Sequence, residues 1–263
     1  MKQPMYRSIW AFSLALFFLS LSGCDRLDDV IPGGDKDHAR TYYGPSTTVG
    51  DGYAKAWVKL DKDGKPEAIG MNVSVKAVES LAKQPDAMFT LPLPEQGAKT
   101  PFKTISLDWN SMGHPEVYFV PHFDVHFYMI SDEERAKITG GPQENTDSFK
   151  KNYMPENYSS GMFAVPNMGV HWEDLHEPQH NGGEFTRTFI YGANNNKVIF
   201  FEPMVAVTYL QQLAPNAVMK MDVAQAPKVQ KSGYYPLTYT IVHNTAAKEY
   251  SVSLTDLRYR KAK

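Results

Sequence analysis

Residues 120–130 read VPHFDVHFYMI. Two imidazoles and a carboxylate, His122, Asp124 and His126, alternate there with Phe123, Val125 and Phe127. Imidazoles and carboxylates hold divalent ions and move protons. On a strand, alternate side chains share a face. Val120, His122, Asp124, His126 and Tyr128 then point one way, and Pro121, Phe123, Val125, Phe127 and Met129 the other. The second set is core. The first is a costly choice for a solvated face, so it is expected to line a pocket or a barrel mouth. Residues two apart on a strand are ~6.6 Å apart, so Asp124 can share an ion with His122 or with His126. His122 and His126 are ~13 Å apart, too far for easy chelation by both unless a bulge near Pro121 draws them together. On a helix the same spacing would suit a zinc protease, but Pro121 and the β-rich surroundings oppose a helix.

Six of the eight histidines fall between His114 and His180. His171 stands in MGVHWED beside Glu173 and Asp174, and His176, Glu177 and His180 follow. The expected metal ligands are His122, Asp124, His126 and His171, with zinc the first choice of ion. Glu202 and Glu184, placed on two arms of a hairpin around 192–196, can each supply a fourth ligand or a general base; as the catalytic candidates, one of them would act on a metal-activated water. Plainer roles exist for each. His171 can bond a loop carbonyl, Glu202 can pair with an arginine, and His176 and His180 read as exposed loop residues. Met112, Met129, Met154, Met162 and Met168 also lie near the histidines; thioether with imidazole suits copper, although methionine more often fills core gaps.

These side chains need a scaffold, and the pattern around them is β-like. Alternating runs at 53–60 and 67–75 flank a turn at Asp63-Gly64, a hairpin signal. Strands are expected at 101–109, 116–130, 184–192, 197–210, 217–223, 234–243 and 248–259. Short helices are expected at 76–84 and at 131–139, the second with Ser131 as N-cap and acids in its first turn. Residues 142–183 lack periodicity and read as a long irregular loop, the kind that is usually functional. The fold class is mainly β, an antiparallel β-sandwich or barrel with one or two short helices.

The N-terminus reads as an address. Lys2 and Arg7 precede an apolar run from Ile9 to Leu21 that closes on Leu21-Ser22-Gly23-Cys24. This is the plan of a signal peptide, residues 1–23, ending in a lipobox with Cys24 as the lipidated residue. Residues 24–45 read as a flexible tether, and 46–263 as one β-rich domain. Asp25 favours the inner membrane, with the domain facing the periplasm of a bacterial envelope. Cys24 is the one cysteine, so a lipidated chain has no disulfide and no thiolate ligand or nucleophile. The chain carries 27 Lys and Arg against 29 Asp and Glu, with no basic block, which argues against nucleic acid as a partner. Neither a G-x-S-x-G elbow, a phosphate-cradling loop nor a dinucleotide fingerprint is present.

VPHFDVHFYM, MGVHW, FTRTFIYGA and VIFFEPMV together resemble a family of exported bacterial proteins that carries a domain of unknown function. The resemblance runs from about residue 40 onward. It implies a β-rich exported domain with a histidine-bearing central strand, and it supports His122, Asp124, His126, His171 and Glu202 as motif positions without assigning an activity. Two functions follow from the residues. One is a metal-dependent hydrolase or lyase anchored in the envelope. The other is a non-catalytic envelope module that binds a small molecule or a protein partner, through the 142–183 loop and the chain's many aromatics.

Overall fold

A computed structural model describes residues 39–263 apart from Glu116. The expected signal peptide, Cys24, Asp25 and most of the expected tether lie outside these residues. The described residues begin with β1 (Arg40–Tyr43), β2 (Thr47–Val49), β3 (Gly52–Leu60) and β4 (Pro66–Ser74). α1 (Val75–Leu81) leads to β5 (Ala87–Leu91), β6 (Thr104–Asn110) and β7 (His122–Tyr128). After α2 (Asp132–Arg135) come β8 (Gly141–Pro142), α3 (Asp147–Tyr153), β9 (Tyr158–Ser160), β10 (Phe163–Ala164) and β11 (Val170–Asp174). β12 (Arg187–Asn194), β13 (Lys197–Ala206) and α4 (Val207–Gln212) precede β14 (Val218–Asp222), β15 (Gly233–Tyr235), β16 (Thr238–Asn244), β17 (Glu249–Thr255) and β18 (Arg258–Arg260).

Two seven-stranded antiparallel sheets make a sandwich. The first runs β1-β3-β4-β17-β16-β14, with β2 also paired to β3; the second runs β5-β6-β7-β13-β12-β11-β9. Neither closes on itself, so the architecture is a sandwich and not a barrel. The core between the sheets takes Ala56, Val58, Met71, Val252 and Leu254 from the first and Leu107, Phe123, Val125, Phe127 and Phe201 from the second. These are the inward members of alternating strands, as period-two patterning requires.

Turn chemistry sets the register. Gly64 adopts φ 74° in the β3–β4 turn, and Asn195 and Asn196 adopt φ 49° and 61° between β12 and β13. Two consecutive left-handed residues are what a tight hairpin needs, and asparagine tolerates them. Ser131 caps α2, and Glu134 closes the reciprocal half of a capping box.

Several boundaries differ from the sequence pattern. Residues 40–43, expected in the tether, pair as β1 with β3. The strand expected over 116–130 is confined to 122–128: Pro115 and Pro121 carry no ladder N–H, and the chain there turns tightly, with His114 paired to Tyr118. The strand expected through residue 210 ends at Ala206, where the buried positions change to a three-residue spacing, Val207 and Leu210, in α4. Segment 142–183 is a run of short elements, β8 to β11 and α3, linked by irregular stretches.

A second apolar cluster covers the outer face of the second sheet. Tyr118, Ile138 and Phe185, from loops, pack there on Tyr128, Ile190, Phe200 and Met204. That sheet is therefore buried on both faces, and all seven residues of β7 are buried.

Candidate metal centre

The alternation along β7 sends Phe123, Val125 and Phe127 into the inter-sheet core. His122, Asp124 and His126 take the other face, at 0%, 6% and 0% exposure, beneath the loop layer. The antiparallel register brings partners to the same face. Ser106, Asp108 and Asn110 of β6 stand opposite His126, Asp124 and His122. On the other side Glu202 of β13 falls between the pairs Phe201–Phe127 and Met204–Asp124, beside His126. His171 of β11 pairs with Gly192, which pairs with Phe200. A Cβ at Gly192 would lie 2.0 Å from the Phe200 ring. Glycine thus lets that ring lie flat and leaves His171 a way across β12 toward β13.

The result is one buried group of two imidazoles and a carboxylate. His126 Nε2 lies 3.5 Å from Glu202 Oε1, and His171 Nε2 lies 3.5 Å from Glu202 Oε2. The donor atoms of the three residues all fall within 4.8 Å of one another. Behind His126, Asp108 Oδ2 stands 3.3 Å from Nδ1, and the Ser106 hydroxyl donates to Asp108 Oδ1. A carboxylate behind an imidazole fixes its tautomer and raises its basicity toward an ion on the far nitrogen. Tyr128 stacks on His126 with the rings 5.2 Å apart, Phe200 meets it edge-on, and the Arg135 guanidinium lies 3.9 Å above the Tyr128 ring.

Among the described residues, four buried atoms here have no hydrogen-bond partner: both ring nitrogens of His126, Glu202 Oε2 and Asp108 Oδ2. Their separations of 3.3–3.5 Å bring ring nitrogens near carboxyl oxygens without an aligned hydrogen bond. Leaving one such group unpaired typically costs ~1–3 kcal/mol. Burial, with the charges of Asp124, Asp108 and Glu173, pushes the Glu202 carboxyl well above its usual range. Burial, with the nearby His126, pushes the His171 imidazole down to about 3. A neutral imidazole is ready to ligate, whereas the carboxyl must lose a proton first.

A second group lies further along the same face of β7. His122 Nε2 is 3.2 Å from Asp124 Oδ1, and His114 Nε2 is 3.9 Å from Asp124 Oδ2. His122 Nδ1 donates to the Val120 carbonyl at 2.6 Å, and Asn110 Nδ2 donates to Asp124 Oδ2 at 2.7 Å. Burial favours neutral His122, but the adjoining Asp124 carboxylate outweighs it and the imidazole is raised. For Asp124, burial works upward and is overcome by His122 and the neighbouring histidines, so the carboxyl is lowered.

The residues singled out from sequence are thus divided. His122 and Asp124 belong to one group, and His126 and His171 to the other, joined by Glu202 as a donor. Glu184 is exposed, precedes β12 and stands outside both groups. His180 pairs with Glu173 at 3.0 Å, while His176 is exposed and pairs with Asp174. Met154 is core, and Met112 and Met162 are exposed. Asp108 and His114 were not anticipated. Ser106, Asp108 and Asn110 alternate in the same manner as His122, Asp124 and His126, which was the available signal for Asp108.

A groove of about 940 Å³ lies elsewhere, on the outer face of the first sheet, lined in part by Tyr43, Trp57, Asn72, Ser253 and Tyr259. It shares no residue with either donor group.

Residues 61–109, from the β3–β4 turn to near the end of β6, match the model of the TTHB210-like family, described as hypothetical protein TTHB210. The match includes Ser106 and Asp108 and stops before β7 and the clustered histidines. No curated protein and no solved structure matches the chain.

Proposed function

We propose that this protein is a divalent-metal-binding β-sandwich of the bacterial cell envelope, with its metal centre at His126, His171 and Glu202. One observation carries the reading: four buried polar atoms in a single group lack a hydrogen-bond partner among the described residues. A protein interior rarely tolerates such a group without an occupant. Nε2 of His126, Nε2 of His171 and the Glu202 carboxylate would hold a cation, with Asp108 accepting from His126 Nδ1 behind it. Two imidazoles and one carboxylate suit zinc, and the same set with open positions suits iron(II).

Glu202 then serves as a ligand, one of the two roles the sequence leaves open to it, and not as the general base. Three protein donors leave a coordination position open, and an ion held there supplies Lewis acidity for hydrolysis or a lyase reaction. The His171 side chain, 20% exposed, is the edge of the centre nearest solvent, against 0% for His126 and 2% for Glu202. The envelope location rests on the leader and lipobox pattern ending at Cys24 and on the resemblance to exported bacterial proteins. A second reading, a module that binds a small ligand, draws on the aromatic groove of the first sheet, which is remote from the histidines.

Elemental analysis of the full chain, purified without a His-tag or chelator, tests the metal reading. Zinc or iron is expected, with one ion per chain fewer in His171→Ala. Equal metal content in wild type and His171→Ala would remove this centre from the account.

A further inference from the structure

Asp124 and His122 play no part in the centre just described, yet they are built as carefully. We propose that His114, His122 and Asp124 form a second divalent-cation site, separate from the His126–His171–Glu202 centre and more accessible to solvent. The donor atoms of the three residues lie within 4.8 Å of one another. His122 Nε2 and Asp124 Oδ1 are buried and lack a hydrogen-bond partner among the described residues. They stand 3.2 Å apart, without the alignment of a hydrogen bond.

The rest of each side chain is already committed. The Val120 carbonyl accepts from His122 Nδ1, which leaves Nε2 as the ligating nitrogen. Asn110 holds Asp124 Oδ2, so the carboxylate cannot swing away. His114 arrives on a tight turn that the fold enforces. Gly113 has φ 72°, and a Cβ there would lie 2.1 Å from the Tyr118 carbonyl. His114 N donates to that same carbonyl at 3.1 Å. Ser111 anchors the start of the turn through N and Oγ, both donating to Asp86 Oδ1. The His114 ring packs edge-on against His122 with centroids 4.8 Å apart.

The two groups share no donor, and each has its own supporting layer: Asn110 and Val120 for one, Asp108 and Ser106 for the other. They differ in access. The His114 side chain is 39% exposed, whereas His126 and Glu202 are sealed. The second site therefore fills and empties through His114, and its ion exchanges faster. Two imidazoles and a carboxylate select zinc, cobalt(II) or iron(II) over calcium and magnesium, which prefer all-oxygen shells.

The test is a cobalt(II) titration of the full chain after metal removal, followed by the visible absorption of the bound ion. Two equivalents are expected for wild type, one for His114→Ala and one for His171→Ala, with a distinct spectrum in each variant. His114 is half-exposed, so its removal should leave the melting temperature of the metal-free protein unchanged; His114→Gln reads the same loss if the alanine variant does not fold. Equal cobalt uptake by wild type and the His114 variants would overturn the second site and leave the first standing. Loss of one equivalent in His114→Ala with none lost in His171→Ala would uphold the second site and remove the first.

Discussion

Replacing Glu202 with glutamine separates a metal ligand from a structural ion-pair partner. In the metal-free fold, burial and three neighbouring carboxylates hold the Glu202 carboxyl well above its usual range, so it carries its proton. Glutamine is a neutral mimic of that state. Near the unfolded-state pKa of ~4.3, Glu202→Gln is therefore expected to change metal-free stability by less than ~1 kcal/mol, as for other neutral swaps of matching shape. The zinc response should vanish, because an amide is a poor ligand where a carboxylate is required. At zinc 100-fold above its dissociation constant the wild-type gain is ~2.7 kcal/mol. For a domain of this size that corresponds to a melting shift of about 5–11 °C. The comparison is made in a His114→Ala background, so that only this centre is read.

The pH dependence has a definite sign. A folded pKa above the unfolded value means that the native state keeps the proton longer. Glu202's contribution is fully present below the unfolded pKa of ~4.3. It is lost as pH rises through the raised folded value, by up to ~1.4 kcal/mol per pH unit. His171 works oppositely: its imidazole is held down at about 3, so its contribution falls as pH drops below the ordinary histidine range. The difference between wild type and Glu202→Gln isolates the first effect: in chelator the two should match near the unfolded pKa, and the glutamine variant should gain on wild type as pH rises. With zinc the trend reverses, since the ion displaces the Glu202 proton and binds more tightly at higher pH. Chemical denaturation from pH 5 to 8, with and without zinc, reads both trends. Equal zinc stabilisation of wild type and Glu202→Gln would refute the reasoning. So would a metal-free loss of ~3–5 kcal/mol, the signature of breaking a buried ion pair.

Other outcomes follow from the same geometry. Asp108→Asn should fold normally and weaken zinc binding at the His126 centre by ~10–100-fold, since Asp108 orients the His126 ring; competition with a chromophoric chelator measures this. Gly192→Ala must displace the Phe200 ring and should cost ~1–3 kcal/mol in a denaturant melt, with weaker metal binding because Phe200 packs on both His126 and His171. Phe127→Ala, in the inter-sheet core, should cost ~3–5 kcal/mol while leaving cobalt stoichiometry unchanged, which separates fold from site. Cys24→Ser should move the protein from the membrane fraction to the soluble fraction if Cys24 carries lipid; unchanged membrane partition would remove the lipid anchor.

The strands and their faces were legible because β7 alternates without a break, and Asn195-Asn196 and Gly64 mark hairpin turns by their backbone preferences alone. The strand spacing also warned that His122 and His126 stand too far apart to share an ion, and the structure does divide them. What local pattern cannot carry is lateral register. Asp108 faces His126 only because β6 pairs with β7, and His171 reaches Glu202 only because Gly192 leaves room across β12. Nor does the pattern reveal that loops bearing Tyr118, Ile138 and Phe185 roof the polar face, turning an expected pocket wall into a buried one. β5 was overlooked because its short run ends at Pro92, and α4 was read as strand because Val207, Thr208 and Tyr209 favour β structure by composition. Glu184 was chosen by its place in the chain, and the chain leaves it in solvent.

Anomalous diffraction at the zinc edge, from crystals grown with zinc, addresses the central claim most directly. A peak is expected between His126 Nε2, His171 Nε2 and the Glu202 carboxylate, at ligand distances of ~2.0–2.2 Å. Density at full zinc occupancy elsewhere in the molecule, with no peak among these three residues, would contradict the metal centre.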